Sequence, residues 1–515
     1  MPKTLRKLLE NLNIEIHSLS SCASEKEMLD LEITDVVSDT RRLCCGCMYI
    51  CCRITNYNGF STIADAIRAG AAVILSEPEL YYNALAVSGM SEKAFLGSNP
   101  PDILFTQDTR YAMAFIYAAM QNNPARSLIT VGVTGTKGKT SVCNMLWYIL
   151  EEAGYKTGLI STGRYILDGK YIESASTTPE ADILQSVLRK MVQADTDAVV
   201  LEISSQALMT HRSQGFTFDI GAFINIGYDH ISPDEHKNFD HYLYCKSLLM
   251  RQCRTGIVNA DDPYTVQILE GHTCAVQSFG IIKKAELMAS GISYEFMDGM
   301  PGVAFDTEGI ARMNIRLPQP GYYSVSNALA AIRIALSLKV PEDAIVKGLS
   351  KVRILGRTEV ILPDVSGNCA FPVVIVDYAH NGMSLRALLK TMKQYYKSRI
   401  ICVFGVSRML SRGRELGAAA GELADYSVIT TDNSYAEDPQ TLLNSAIPAM
   451  EEVKGAYTVI PDRVKAIQHA ISISKPEDLV VIAGRGRDKN LIMNDGVHIY
   501  PDDVGIVRRI LGKFE

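Results

Sequence analysis

The stretch SLITVGVTGTKGKTSVCNMLWYILEEAG, Ser127 to Gly154, decides how the rest of the chain is read. Ile129, Val131 and Val133 alternate as one face of a strand, and SVCNMLWYIL beyond the glycines has helical spacing. Between them lies GVTGTKGKTS, Gly132 to Ser141, in the strand–loop–helix context that a phosphate-binding loop needs. Gly135 and Gly138 let backbone N–H groups face phosphate oxygens, and the helix N-terminus adds positive potential. Thr136, Lys137 and Ser141 complete the nucleotide-binding loop. Lys139 is placed to reach the β- and γ-phosphates, and the Thr140 hydroxyl to bind Mg2+. The strict form of this loop has glycine five positions before Gly138, where Val133 stands; Gly132 makes it the variant G-x-x-G-x-x-G-K-[ST]. A glycine-rich turn without a ligand is the plain alternative, and the flanking strand and helix argue against it.

Outward from the loop, DAVVLEIS, IGAFINIG and GIVNADD are apolar runs that end in polar residues or glycine, with helical stretches between. That is the pattern of a parallel sheet with crossover helices. A further region begins near Arg353 and carries PVVIVDYAH, RIICVFGV, YSVITTDN and DLVVIAGRG, each a buried-type strand with a polar C-terminal end. Ligands of open α/β sheets bind outside those strand ends, so a reaction in the cleft between two such domains is expected. Before the loop, CMYICC and AAVILSE read as strands and FSTIADAIRAG as a helix closed by glycine. MQNNPARS, Met120 to Ser127, is a polar, proline-bearing linker. The 515 residues, at roughly 100–200 per domain, divide as 1–126, 127–352 and 353–515.

Composition excludes several classes. The 51 Lys and Arg against 57 Asp and Glu give a net charge of −6, without a basic block, so no nucleic-acid partner is expected. The N-terminus MPKTLRKLLENLNIEI is amphipathic and lacks the apolar core of a signal peptide, and no apolar window is long enough to span a membrane. A cytoplasmic protein is expected, and a reducing compartment suits the 12 cysteines. Five of these, Cys44, Cys45, Cys47, Cys51 and Cys52, lie in CCGCMYICC. A second ligand pair at metal-binding spacing is missing, so they read as small hydrophobes rather than a zinc site.

The spelling T-G-T-x-G-K-T-S resembles the Mur ligases and their relative folylpolyglutamate synthase. Further landmarks follow in that family's order: SDTRR (Ser38 to Arg42), STTPE (Ser176 to Glu180), LEISSQALMTHR, SVSNALAAI, ILGRTEV, DYAHNGMSL, TTDNSYAEDP and AGRGRDKN. STTPE resembles the tripeptide-forming MurE type. Folylpolyglutamate synthase lacks the long segment before the loop, and no dinucleotide-type glycine turn opens this chain as in the first two muramyl ligases. The resemblance implies an α/β protein of three domains: an N-terminal uridine-nucleotide domain, a central P-loop-type, mostly parallel-sheet ATPase domain and a C-terminal Rossmann-like domain that binds the incoming amino acid.

It also implies ATP-dependent ligation in peptidoglycan precursor synthesis, forming ADP and phosphate. A diamino acid (L-lysine, meso-diaminopimelate or similar) is joined through an acyl phosphate to the D-Glu γ-carboxylate of UDP-N-acetylmuramoyl-L-Ala-D-Glu. Two Mg2+ sites are implied, with Thr140, Glu202, His230 and Lys246 as ligands, and with Lys139, Glu202, His230 and Lys246 in the catalytic set. Lys246 matches the family lysine that takes up CO2 as a carbamate, which turns an ammonium into an anionic oxygen ligand. That adduct needs an unprotonated amine, hence burial. Tyr242 and Lys246 share a helix face at i, i+4. Asn327, Arg357, Asp377 and His380 match the nucleotide contacts of the family, which depend on closure of the third domain. For the muramyl substrate the matches are Thr40, Arg41, Thr177, Thr178, Ser204, Thr210 and Arg212, with Thr55, Asn56 and Tyr57 lining a uridine pocket. A monomer is expected.

Departures cluster where the incoming amino acid binds. In DNSYAEDP, Ser434 and Tyr435 stand where diaminopimelate-adding members have Pro and Arg, and Tyr435 cannot make that arginine's bidentate carboxylate contact. In AGRGRDKN, Arg485, Arg487 and Asp488 replace Lys, His and Glu. Arg408 or Arg412 serves a shortened glycine-rich segment, and Gln206 and Gly382 replace His and Pro. Asn433, Tyr435, Gly484, Asp488 and Arg408 therefore form the expected amino-acid pocket, with L-lysine or another diamino acid as candidate and Asp488 facing its ammonium. The rivals are a diverged paralogue adding an unusual amino acid and a non-catalytic nucleotide-sugar binder. In YDHISPDEHKNFDHYLYCKSLLM, Tyr228 to Met250, the expectation is that His230 and Lys246 serve a shared site. Asp234, Glu235 and His236 then form a solvated loop, and the stretch holds no metal cluster of its own.

Overall fold

Six strands pair in parallel, in the spatial order Thr157–Ser161, Ala198–Glu202, Ile129–Thr134, Phe218–Phe223, Cys253–Asn259 and Ala275–Gly280. Strands such as Ala198–Glu202 are buried along their whole length, because helices cover both faces of a parallel sheet. The computed structural model describes residues 2–12, 17–18, 25–52, 60–174, 176–229, 231–232, 235–361, 371–407 and 409–512. Thr55, Asn56, Tyr57, His230, Asp234 and Arg408 lie outside the described residues. The chain divides into two compact units, Met1–Glu286 with Ala330–Leu338, and Leu287–Leu329 with Lys339–Glu515.

In the first unit the chain starts its large sheet in the middle, at Ile129–Thr134. It next lays down Thr157–Ser161 and Ala198–Glu202 on one side, then crosses to Phe218–Phe223 on the other. Such a reversal opens a crevice at the C-terminal ends of the central strands. The phosphate loop leaves from that point, and the helix Lys139–Glu152 follows it. Beyond Thr157–Ser161 the sheet ends in an antiparallel ribbon, Arg164–Leu167 and Lys170–Glu173.

The same unit holds a smaller sheet in which Val36–Val37, Met48–Ile50, Val73–Ser76 and Asp102–Phe105 run parallel and His17–Ser18 pairs antiparallel at the edge. CMYICC and AAVILSE supply Met48–Ile50 and Val73–Ser76, and FSTIADAIRAG forms the helix Phe60–Arg68. Cys47 and Cys51 are buried beside these strands, whereas Cys44 and Cys45 are exposed.

In the second unit Val373–Asp377, Leu479–Ala483, Ile400–Val406, Tyr426–Thr431 and Tyr457–Val459 run parallel, with Glu359–Ile361 antiparallel at one edge. All four expected runs of this region are strands, and apolar cores fill both faces of the sheet. Three antiparallel strands, Leu287–Met297, Met300–Gly309 and Asn314–Leu317, also belong to this unit. Among the described residues, no helix is long and apolar enough to cross a membrane.

Candidate active site

The strand Ile129–Thr134 delivers the phosphate loop, and its glycines are sterically required. A Cβ on Gly135 would meet Ile224 Cγ1 at 2.4 Å, and Gly138 caps the following helix at φ +88°. Asn225, just past the end of the strand Phe218–Phe223, holds the loop in shape. Its Oδ1 accepts from the backbone N–H groups of Thr136 (3.1 Å) and Lys137 (3.0 Å), and its Nδ2 donates to Lys137 O (2.9 Å). Thr136 is buried with its Oγ1 3.0 Å from Tyr242 Oη. Lys137 reaches outward to Asp229, 2.9 Å away.

Glu202 ends the strand Ala198–Glu202 with its side chain buried. Its Oε2 accepts from Thr140 Oγ1 at 2.9 Å, Ser161 Oγ at 2.7 Å and Thr162 N at 3.1 Å. Lys139 Nζ lies 4.0 Å from Oε1 and donates back to Gly135 O (3.0 Å) and Thr136 O (3.2 Å). A hydroxyl and a carboxylate thus meet beside a phosphate loop. These are hard oxygen donors, and they suit Mg2+ rather than a soft metal. Ser141 follows in the first turn of the helix Lys139–Glu152.

Lys246 comes from the helix Phe239–Arg251. It is 1% exposed, donates to Gly135 O at 2.8 Å and lies 4.6 Å above the Tyr242 ring, as i, i+4 spacing predicts. Burial, then the nearby Lys139 charge, drives its pKa well below the ordinary lysine value. Asp229, Cys245 and Glu202 oppose that shift. The residue therefore fits the chemistry of a carbamate, which begins from a neutral amine.

The substrate side is more mixed. Thr177 Oγ1 lies 3.0 Å from Thr162 Oγ1, which links STTPE to the Glu202 network. Thr178 is buried; its hydroxyl donates to Glu202 O (2.8 Å) and accepts from Ser204 N (3.0 Å), so it shapes the strand end. Ser204 caps the helix Ser205–Met209 through Ala207 N, and Thr210 Oγ1 donates to Gln206 O at 2.8 Å. Arg212 donates to Thr178 O at 3.0 Å and pairs with Glu180 at 2.8 Å. Thr40 and Arg41 sit in the turn Thr40–Arg42, where the exposed Arg41 pairs with Asp39.

In the second unit, Asn327 lies half-buried on the helix Tyr322–Ser337. Asp377 ends its strand and accepts from Thr358 N (2.7 Å) and Ala379 N (2.8 Å). The Arg357 guanidinium covers the Tyr378 ring at 4.5 Å, and His380 Nδ1 lies 2.9 Å from Tyr378 O. A third group forms where the strands Tyr426–Thr431 and Leu479–Ala483 end. Buried Arg485 donates to Asp432 Oδ1 (2.9 Å), Asn433 Oδ1 (2.8 Å) and Asn490 O (2.5 Å), and its Asp488 neighbour is 3.8 Å away. Tyr435 takes up a left-handed φ of +54° and donates its N–H to Ile492 O. Gly484, at φ +124°, approaches Asp432 too closely for a Cβ.

One expectation fails in the loop before Phe239. His236 is 1% exposed rather than solvated, with Nε2 2.9 Å from Ser205 Oγ. The structure also reveals Asn225, Ser161 and Thr162 as supports of the site. Their signal was present, since Asn225 and Ser161 are polar residues closing apolar runs, the position where open sheets bind ligands.

The chain matches the Mur ligase middle domain over residues 133–335 and the Mur ligase glutamate ligase domain over residues 356–486. It is 32% identical over 518 residues to the UDP-N-acetylmuramoyl-L-alanyl-D-glutamate--2,6-diaminopimelate ligase of Syntrophomonas wolfei, covering 99% of each chain. The protein of that name from Caldanaerobacter subterraneus is 32% identical over 492 residues, covering 94% of this chain and 96% of its own. A solved structure of a ligase with that name superposes with a TM-score of 0.68 at 21% identity, covering 99% of both chains.

Proposed function

The chain belongs to the Mur ligase family, and we propose that it joins a diamino acid to the γ-carboxylate of D-Glu in UDP-N-acetylmuramoyl-L-Ala-D-Glu, with ATP as the energy source. A carboxylate is a poor electrophile at neutral pH. Transfer of the ATP γ-phosphoryl group to its oxygen releases ADP and creates an acyl phosphate with a good leaving group. The incoming amine attacks the carbonyl carbon, loses a proton and expels inorganic phosphate. Catalysis of this kind rests on positioning and on neutralising crowded anions.

The loop N–H groups and Lys139 would face the phosphates. Thr140, Glu202, His230 and a carbamate on Lys246 would hold two Mg2+ ions, which supply charge neutralisation at the transferring group. Asn327, Arg357, Asp377 and His380 would bind the nucleotide. Thr40, Arg41, Thr177, Ser204, Thr210 and Arg212 would serve the muramyl substrate, with Thr178 shaping the strand end beneath it. Under this reading residues 1–126 bind the uridine nucleotide, 127–352 bind ATP and 353–515 bind the amino acid. The protein acts as a cytoplasmic monomer.

The observation that carries the proposal is the pairing of Thr140 with Glu202 beside a buried, neutral-leaning Lys246. A scaffold that only bound nucleotide sugar would have no use for that set. Purified protein with ATP, Mg2+, the muramyl dipeptide and a panel of amino acids tests it. Phosphate release is expected only when the dipeptide and a diamino acid are both present. Tight dipeptide binding without phosphate release from any amino acid would leave the scaffold reading standing instead.

For the amino acid, the relatives are named diaminopimelate ligases. The Asn433–Tyr435 turn has no arginine, and Arg485 is already engaged by Asp432 and Asn433. That arrangement favours a diamino acid with a cationic far end, such as L-lysine, met by Asp488.

A further inference from the structure

The segment between His230 and Lys246 holds a second constellation that the ligase reading does not use. His241 and Cys245 stand one turn apart on the helix Phe239–Arg251, so their side chains share a face. His236 approaches from the preceding loop. Its Nδ1 lies 3.3 Å from His241 Nδ1, and Cys245 Sγ lies 3.6 Å from His241 Nε2. One ligand atom from each residue falls within 4.8 Å of the other two.

We propose that His236, His241 and Cys245 form a binding site for a zinc-class divalent cation. Zinc–nitrogen and zinc–sulfur bonds of roughly 2.0 and 2.3 Å make tetrahedral edges of about 3.4 Å between nitrogens and about 3.6 Å between nitrogen and sulfur. The two nearest separations, 3.3 and 3.6 Å, are each of that length but do not share a nitrogen; with one atom from each residue the three ligand atoms lie within 4.8 Å of one another. The two contacts involve opposite nitrogens of His241, so its ring swivels to present one nitrogen to both partners. His236 and Cys245 are buried, whereas His241 is only half-buried, so a bound cation could take a fourth ligand from solvent on the His241 side. Two imidazoles and a thiolate select borderline metals over Mg2+, so this site is chemically separate from Thr140 and Glu202.

The surroundings are those of a supported site. Ser205 Oγ, 2.9 Å from His236 Nε2, fixes that ring from behind, as outer partners of metal-bound histidines do. The loop is pinned by Ser232 N donating to His236 O at 3.2 Å, and the helix start by Asn238 accepting from His241 N at 2.8 Å. When the cation binds, the Cys245 S–H bond breaks, its proton goes to solvent, and the sulfur lone pair forms the metal bond. The cation would tie the 235–238 loop to the helix that carries Tyr242 and Lys246. The competing arrangement is a hydrogen-bonded relay from Cys245 through His241 and His236 to Ser205, with no affinity for metal.

The full-length protein, stripped with a chelator and kept reduced in excess Mg2+, is titrated with Co2+. One equivalent should produce a near-ultraviolet thiolate-to-cobalt band with strong visible bands of a tetrahedral ion, and Zn2+ should displace it. Cys245→Ser and, as a second variant, His241→Gln should each abolish the band, and Ser205→Ala should weaken binding about 10-fold. Zn2+ should raise the Tm of the wild type and leave that of Cys245→Ser unchanged. Absence of the band, or its persistence in both ligand variants, would overturn the proposal and leave the relay or other thiols.

Discussion

Lys139 and Lys246 donate to the same carbonyl oxygen, that of Gly135, at 3.0 and 2.8 Å. Two full ammonium charges so placed repel, and Lys246 is the more deeply buried. Burial, then the Lys139 charge, therefore disfavours the ammonium form of Lys246 and draws its pKa well below the ordinary value of 10.5. An amine that gives up its proton more readily than an ordinary lysine, preplaced beside the phosphate loop, would be a trap for CO2 under the proposed function.

The first prediction concerns that amine. Lys246→Ala should lower turnover by about 100-fold or more, the scale of losing a preorganised electrostatic group. Short carboxylic acids should restore part of the activity, and bicarbonate depletion should inhibit the wild type alone. Unchanged activity in Lys246→Ala would remove the residue from the mechanism.

A pH dependence of stability follows from the same shift. The unfolded chain holds the Lys246 proton up to its ordinary value of 10.5, whereas the folded chain gives it up at lower pH. Between those values the unfolded state binds more protons, so this residue's contribution rises with pH. In Lys246→Met that penalty is gone. The variant should melt above the wild type at neutral pH, with the difference shrinking towards pH 10.5. A constant difference across that range would mean that packing, and not charge, is the cause.

Asn225 offers a test of loop positioning. Asn225→Ala removes two accepted bonds and one donated bond that hold Thr136 and Lys137. Unmet buried polar groups cost about 1–3 kcal/mol, which here should appear as a roughly 10- to 100-fold rise in the KM for ATP. The KM for the muramyl dipeptide should stay within about 2-fold, and a parallel rise would indicate general unfolding instead.

In the second unit, Asp503 and Arg463 form a fully buried pair, with Asp503 accepting from Arg463 Nε at 2.9 Å and from its terminal nitrogen at 2.7 Å. Arg463 also donates to Ala483 O, the last residue before the Gly484 turn. Burial acts to lower its pKa, and Asp503, with smaller help from Asp432 and Tyr500, more than reverses that, so the value is raised. Asp503→Asn leaves that buried cation without its hydrogen-bonded charge partner and should destabilise by about 3–5 kcal/mol in denaturant melts. A change below 1 kcal/mol would mean that solvent enters the pair.

Legibility in the sequence followed physical range. The phosphate loop could be read because its glycines, its Lys139 and its flanking strand and helix are contiguous. The strands of both large sheets were legible as apolar runs with polar ends. The ribbon Leu287–Met297 with Met300–Gly309 was not, because the first strand is mostly half-exposed without a clean alternation, and the second, though buried over 301–305, opens on Met-Pro-Gly, which reads as a turn. His236 misled for another reason. Its Nε2 meets Ser205 Oγ, and no local pattern encodes a contact made 31 residues away. Lys246 was found through family register, since a lone lysine on a helix otherwise reads as surface.

The last prediction concerns the incoming amino acid. Arg485 is held by Asp432, Asn433 and Asn490 O, so the strongest cation of this turn is already neutralised and structural. Asp488 accepts from Asn490 N at 2.9 Å and lies 3.8 Å from Arg485, yet 28% of its side chain is exposed, and a charge-assisted bond from an ammonium to that exposed face is worth about 1.5–3 kcal/mol. L-Lysine should therefore be used better than meso-diaminopimelate, and Asp488→Asn should raise the KM for lysine about 10- to 100-fold with the KM for ATP unchanged. The reverse substitution, Ser434→Pro with Tyr435→Arg, supplies a planar guanidinium able to grip a far carboxylate. It should shift preference towards diaminopimelate by at least about 10-fold. A wild type that releases phosphate only with diaminopimelate would show that a group other than an arginine at position 435 holds that carboxylate, and would end the lysine assignment.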